Sequence, residues 1–88
     1  MTGIEAARLA TTEGCQVFRP RKDAPGEYDV KPYFPGRKGG WVALDSFSAS
    51  AIVAVYDALN ETNRAKFASL PIHKMATVAF KLVEVGKR

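Results

Sequence analysis

The chain has 88 residues, of which 47% are hydrophobic and 25% are charged, and its formal net charge is +4 at pH 7. This length predicts one domain, and this balance is typical of a globular protein rather than a disordered one. No apolar run is long enough to span a membrane. The N-terminus lacks the basic segment followed by an apolar stretch that would predict a secretory signal. Cys15 is the only cysteine, which excludes an internal disulfide. A single cysteine is typical of a reducing compartment, so we expect a cytoplasmic domain. We also expect a short helix and strands in residues 1–45 and helices in residues 46–88.

The first predicted element is a short N-terminal helix. Thr2 and Glu5 have the spacing of a capping box, in which each side chain accepts a hydrogen bond from the backbone N–H group of the other residue. The helix is predicted to continue through about Leu9 or Ala10, and Gly14 ends this region.

Three predicted strands follow, over residues 15–19, 28–33 and 41–44. Apolar and polar residues alternate in the first two, and proline and glycine turn signals separate all three. Pro32 has no backbone N–H group, so we expect the second strand at an edge of the sheet. The predicted fold class is therefore α+β, with a three-stranded antiparallel sheet packed against the C-terminal helices.

The C-terminal half is predicted to contain helices over residues 48–59, 61–70 and 72–85. In the two main helices, apolar residues recur at intervals of three and four, which indicates a face directed toward a core. The predicted core residues are Ile52, Val55, Leu59, Phe67, Met75, Ala79 and Leu82.

The last predicted helix has a polar stripe too narrow for a helix that buries only one face. We therefore predict that Val78, Phe80 and Val85 form an exposed self-association surface, whose simplest partner is a second copy related by a two-fold axis. The alternative is that the N-terminal helix, at residues 4–9, folds back and covers this patch.

Basic and aromatic side chains are interleaved in the strand region. The basic residues are candidate contacts for a partner or for nucleic acid: Arg19, Arg21, Lys22, Lys31, Arg37 and Lys38. Basic side chains bind phosphates, and aromatic side chains stack on bases. Strand alternation produces the same pattern when Phe18, Tyr33 and Trp41 form the core face and the basic residues face solvent. From the sequence, we favour this second interpretation.

The residue types argue against catalysis and against a metal site. Cys15 and His73 are the only cysteine and the only histidine, too few for a zinc site of usual composition within one chain. The glycine-rich stretch at 35–40 lacks the Gly-Lys-Ser/Thr ending of a phosphate-binding loop. We expect no enzyme activity, no cofactor and no metal.

Two stretches carry a family resemblance: residues 41–60 (WVALDSFSASAIVAVYDALN) and residues 63–71 (NRAKFASLP). They resemble small early-gene proteins of actinobacteriophages, those of mycobacteriophages in particular. The resemblance carries no functional residues onto this chain. It implies a protein that binds and redirects a host component without catalysis.

The leading hypothesis from the sequence is a small non-enzymatic binding module, a phage-type regulator that binds a host protein. The alternative is a nucleic-acid-binding protein that uses the basic and aromatic strand region. Salt distinguishes the two, because nucleic-acid binding weakens steeply through counterion release whereas a hydrophobic protein contact changes little.

Overall fold

A computed structural model describes residues 1–36 and 39–86, the last four of them by their backbone alone. The elements, in chain order, are α1 (Gly3–Glu13), β1 (Gln16–Pro20), β2 (Tyr28–Pro32), β3 (Val42–Leu44), α2 (Ser46–Ala58), α3 (Glu61–Ala68) and α4 (Ile72–Gly86). The predicted α+β class is confirmed, with the strands before the main helices.

The sheet has the strand order β2-β1-β3, and both pairings are antiparallel. Val17 of the central strand lies opposite Lys31 of β2 and Ala43 of β3. Strand β2 is at an edge, as Pro32 predicted. The backbone of Met1 partly covers that edge, because the Tyr28 N–H group donates to the Met1 carbonyl at 2.7 Å.

The predicted capping box starts α1. The Thr2 N–H group donates to Glu5 Oε1 at 2.8 Å, and the Glu5 N–H group donates to Thr2 Oγ1 at 3.2 Å. The helix runs to Glu13, beyond its predicted end, because no helix breaker precedes Gly14. Gly14 then adopts a φ of 87°, which a helix cannot accommodate.

Polar side chains also cap the starts of α2 and α3 and the end of α2. Asp45 accepts a 2.6 Å hydrogen bond from the Ser48 N–H group, so α2 begins two residues before its predicted start. Asn60 caps α3 in the same way, through the Asn63 N–H group at 2.9 Å. The Arg64 guanidinium donates to the Tyr56 and Asp57 carbonyls at 3.0 and 2.9 Å, which satisfies carbonyls at the end of α2.

The core lies between one face of the sheet and the helices α1, α2 and α4. Ile52, Ile72 and Met75 are its largest fully buried residues. The α1 helix packs closely on α2 because its buried residues include small ones such as Ala7 and Ala10. Burial of the predicted core residues Ile52, Val55, Phe67, Met75 and Ala79 is confirmed.

The prediction that Leu82 is buried was wrong, since 47% of it is exposed, and Leu59 is only half-buried. Helical spacing does keep Leu82 on the same side of α4 as Met75. At that level, however, Leu82 lines an open apolar groove of about 280 Å³ together with residues of α2 and its end, including Ala58 and Leu59. The helix extends past the point where the core can enclose it.

Candidate functional site

The sheet separates its side chains into a core face and an outer face. Phe18 is buried in the helix-packed core, with its ring edge-on to Tyr28 at 5.7 Å. The neighbouring positions Val17 and Arg19 point the other way. We call the side of the sheet on which Val17 and Arg19 lie the outer face. Val17 is fully buried without belonging to the main core cluster. The outer face therefore has a small apolar centre of its own.

Trp41 lies on the outer face, where two cations approach its ring. The Arg19 guanidinium carbon is 4.4 Å from the centroid of the indole ring, and the Lys31 ammonium nitrogen is 5.2 Å from it. Phe34 meets the same ring edge-on at 6.2 Å. Both cations are within the distance at which the quadrupole of an aromatic ring attracts a positive charge. The result is an ordered cluster of two aromatic rings and two cations.

A groove adjoins this cluster, and we call it the outer-face groove. Its volume is about 690 Å³. Its lining residues are Arg19, Pro20, Arg21, Lys22, Asp23, Asp29, Gly39 and Gly40. Three of them are cationic and two are anionic, so its lining is cationic overall.

The carboxylates of the groove orient its arginines. Arg21 donates from Nε and Nη2 to the two oxygens of Asp23 at 3.1 and 2.9 Å, and Arg19 lies 3.5 Å from Asp29. The hydrogen bond from Arg21 lowers the pKa of Asp23, and the same contact raises the pKa of the Arg21 guanidinium. Both shifts favour the charged forms of this pair.

Most of the predicted basic contacts gather at one place. Arg19, Arg21 and Lys22 line the outer-face groove, and Lys31 lies over Trp41. The remaining candidates, Arg37 and Lys38, lie outside the residues that the structure describes.

The preferred sequence interpretation of the aromatic residues was correct for Phe18 and wrong for Tyr33 and Trp41. Tyr33 is 50% exposed, and Trp41 is half-buried on the outer face. The register explains the error, because Trp41 follows the same alternation as Ala43, which pairs with Val17 rather than with Phe18. An alternation pattern defines two faces but not which of them the helices cover.

A second exposed surface lies on the helical side. Phe47 is 75% exposed, and its ring stacks on that of Phe80 with centroids 5.7 Å apart and planes 23° apart. We call these two residues the aromatic pair. Sequence reasoning missed Phe47. The available signal was an aromatic residue that precedes the apolar face beginning at Ile52 and is therefore not accounted for by that face.

The predicted self-association residues have different environments. Phe80 is 37% exposed and belongs to the aromatic pair, whereas Val78 is half-buried against the core. The side chain of Val85 is outside the described part of the chain. The start of α1 packs on the first turn of α4, since a Cβ on Gly3 would lie 3.2 Å from Ile72. Phe80, farther along α4, stays exposed.

Among residues 1–36 and 39–86, no three histidine, cysteine or acidic side chains are grouped to hold a metal ion. None of the helices in this part of the chain is long and apolar enough to cross a membrane. The Cys15 thiol is half-buried and directed at the Gln16 carbonyl at 3.9 Å.

Comparison of the chain with family models, with curated proteins and with solved structures gave no match. The resemblance to phage proteins therefore stays a prediction, and the two exposed surfaces are the basis for a functional proposal.

Proposed function

We propose that this protein is a small non-enzymatic binding module, a phage-type regulator that recognises a host protein through the aromatic pair. The observation that carries this proposal is the 75% exposure of Phe47 in a ring stack with Phe80. Aromatic side chains are enriched in protein interfaces and supply many of their energetic hot spots.

The aromatic pair is held in a fixed position. Phe47 lies in the first turn of α2, which the Asp45 carboxylate caps at 2.6 Å, and its partner Phe80 projects from α4. Val42, on the edge strand just before α2, is 49% exposed and adds apolar surface nearby in the chain. A rigid anchor loses little conformational entropy on binding, which favours recognition by a preformed surface.

The phage and host parts of the proposal are supported by the sequence resemblance. Residues 41–60 carry most of that resemblance, and they include Phe47. The exposed aromatic residue therefore lies in the same stretch that suggests a regulator of a bacterial host.

The test compares two substitutions with the same added charge. Phe47→Asp and Thr62→Asp each alter the second residue of a capped helix, where an acidic side chain suits the helix dipole. We expect wild-type protein and Thr62→Asp to retain the same protein from a nuclease-treated mycobacterial lysate. Against that purified protein, Phe47→Asp should bind at least about tenfold more weakly, because interface anchors typically contribute that much.

Equal retention by Phe47→Asp and Thr62→Asp would remove the aromatic pair from the proposal. Loss of all retained protein after nuclease treatment would show that the capture depended on nucleic acid. Affinity that falls steeply with added salt would also argue against an apolar contact.

A further inference from the structure

We infer that the outer face is a second binding site and that its ligand is single-stranded nucleic acid. The site combines the Trp41 cluster with the outer-face groove. It is separate from the aromatic pair, since it is built from the strands and the loops around them.

The groove offers cationic groups to a phosphate backbone. Within the part of the chain that the structure describes, no ion pair occupies Lys22 or Lys31. Arg19 and Arg21 each contact an aspartate, but a guanidinium has five N–H donors and these contacts use only some of them. The carboxylates therefore hold the arginines in place and leave donors for a phosphate.

The groove wall also lets a ligand backbone approach closely. Gly39 and Gly40 line it with φ values of 75° and 85°, a conformation that residues with a Cβ rarely adopt. Both are exposed, and glycine has no side chain, so nothing at these positions separates the protein backbone from the ligand.

The aromatic residues supply the contacts that distinguish nucleic acid from other polyanions. The Arg19 guanidinium covers the Trp41 ring at 4.4 Å, and both guanidinium and aromatic planes stack on unpaired bases. Tyr33 is 50% exposed and continues β2 two residues after Lys31, on the same side of the extended chain. Bases can therefore stack beside the cations that bind their phosphates.

The geometry favours a single strand over a duplex. From the level of Tyr33, whose N–H group bonds to the Cys15 carbonyl, the face extends along β1 to Arg21. The six steps from Cys15 to Arg21 span about 20 Å at a strand rise of about 3.3 Å per residue. A single strand of a few nucleotides fits along this length, and stacking on the protein requires that its bases be unpaired. An acidic peptide matches the cations but has no bases for Trp41, so it serves as a competing ligand in the test.

Trp41 is the only tryptophan, so its fluorescence reports on the site itself. We expect a short oligothymidylate to quench the emission of the full-length protein at low salt. A duplex of equal length and an oligoglutamate should bind more weakly and quench less. An oligouridylate run in parallel shows whether the site distinguishes RNA from DNA, and quenching by either single strand supports the proposal.

Variants test the two parts of the site. Lys22→Ala and Lys31→Ala should each flatten the plot of log affinity against log salt by about 0.7, the value expected for one phosphate contact on a single strand. Lys66→Ala removes the same charge from exposed α3 and should leave the slope unchanged. Trp41→Leu keeps an apolar side chain at this position and should weaken binding of a labelled oligothymidylate about 5- to 100-fold.

Three results would overturn the inference. The first is no quenching by either single strand at low salt, in protein whose circular dichroism is native. The second is binding of oligoglutamate or duplex as tight as that of oligothymidylate. The third is an equal change of slope in Lys66→Ala and Lys31→Ala. None of these depends on protein capture by the aromatic pair, so this inference and the proposed function fail separately.

Discussion

At the residue scale, the capping box of α1 ties the stability of the fold to pH. Hydrogen bonds from the backbone and then the side chain of Thr2 lower the pKa of Glu5 from its ordinary value of 4.5. A carboxylate whose pKa is depressed by folding stabilises the native state fully above its unfolded pKa, and this contribution disappears as pH falls through the folded pKa. Stability from this interaction should therefore be present at neutral pH and should decline as the pH falls below the ordinary pKa of 4.5.

We predict that Glu5→Gln lowers the melting temperature at pH 6 and that the difference from wild type shrinks at pH 3. The glutamine keeps an acceptor oxygen but does not ionise, while the other carboxylates titrate alike in both proteins. Thermal unfolding followed by circular dichroism at the two pH values measures this difference.

Glu13→Gln is the matched control for that experiment. It removes the same charge from the last turn of α1, where the helix dipole disfavours a carboxylate, so the melting temperature at pH 6 should not fall. A difference between Glu5→Gln and wild type that is the same at both pH values would show that the ionised carboxylate adds nothing to the cap.

At the element scale, large apolar residues of α2 and α4 should contribute unequally to the free energy of unfolding. Ile52 of α2 is fully buried, whereas Leu82 of α4 is 47% exposed in an open groove. We predict that Ile52→Ala reduces the free energy of unfolding by about 2–5 kcal/mol, because it removes buried methyl groups and leaves a cavity. Leu82→Ala should cost less than about 1 kcal/mol.

Urea unfolding of the two variants measures the free-energy difference directly. A domain of this size gains or loses about 4–8 °C in melting temperature per kcal/mol, so thermal melts should rank the variants in the same order. Equal destabilisation by the two substitutions would mean that the end of α4 is enclosed in solution, by a second copy or by another part of the chain.

At the scale of the whole molecule, the aromatic pair raises the question of self-association. The aromatic pair alone provides far less than the about 800 Å² that each partner of a stable interface usually buries, and in a two-fold dimer this small patch meets only its own copy, whereas a host protein can also contact the surface around it. We therefore expect light scattering at micromolar concentration to give the chain mass of 9.6 kDa. A mass about twice as large, returned to 9.6 kDa by Phe47→Asp, would assign the aromatic pair to a second copy.

That test differs from the one the sequence suggests. Val78 was predicted to belong to the self-association surface, but it is half-buried against the core. A charged residue at Val78 should therefore destabilise the monomer. Phe47 is 75% exposed and stacks on the exposed Phe80, so its replacement should disturb the core less.

Local chemistry made most of the secondary structure predictable. The Thr2–Glu5 capping box, the boundary at Gly14 and the edge position of Pro32 depend on residues close in the chain, and all three are confirmed, although α1 runs past its predicted end near Ala10 to Glu13. The apolar period of α2 likewise identified Ile52 and Val55 as core residues. These features follow from backbone hydrogen bonding and helical spacing, which a sequence determines by itself.

Tertiary structure alone decided which surfaces remain exposed. The alternation of β1 places Phe18 and Arg19 on opposite faces, but only the packing of the helices made one of them the core face. Trp41 joins Arg19 and Lys31 through strand pairing between residues far apart in the chain, and Phe47 meets Phe80 through the packing of two helices. Such contacts depend on how elements pack against one another, which the periodicity within a single element does not specify.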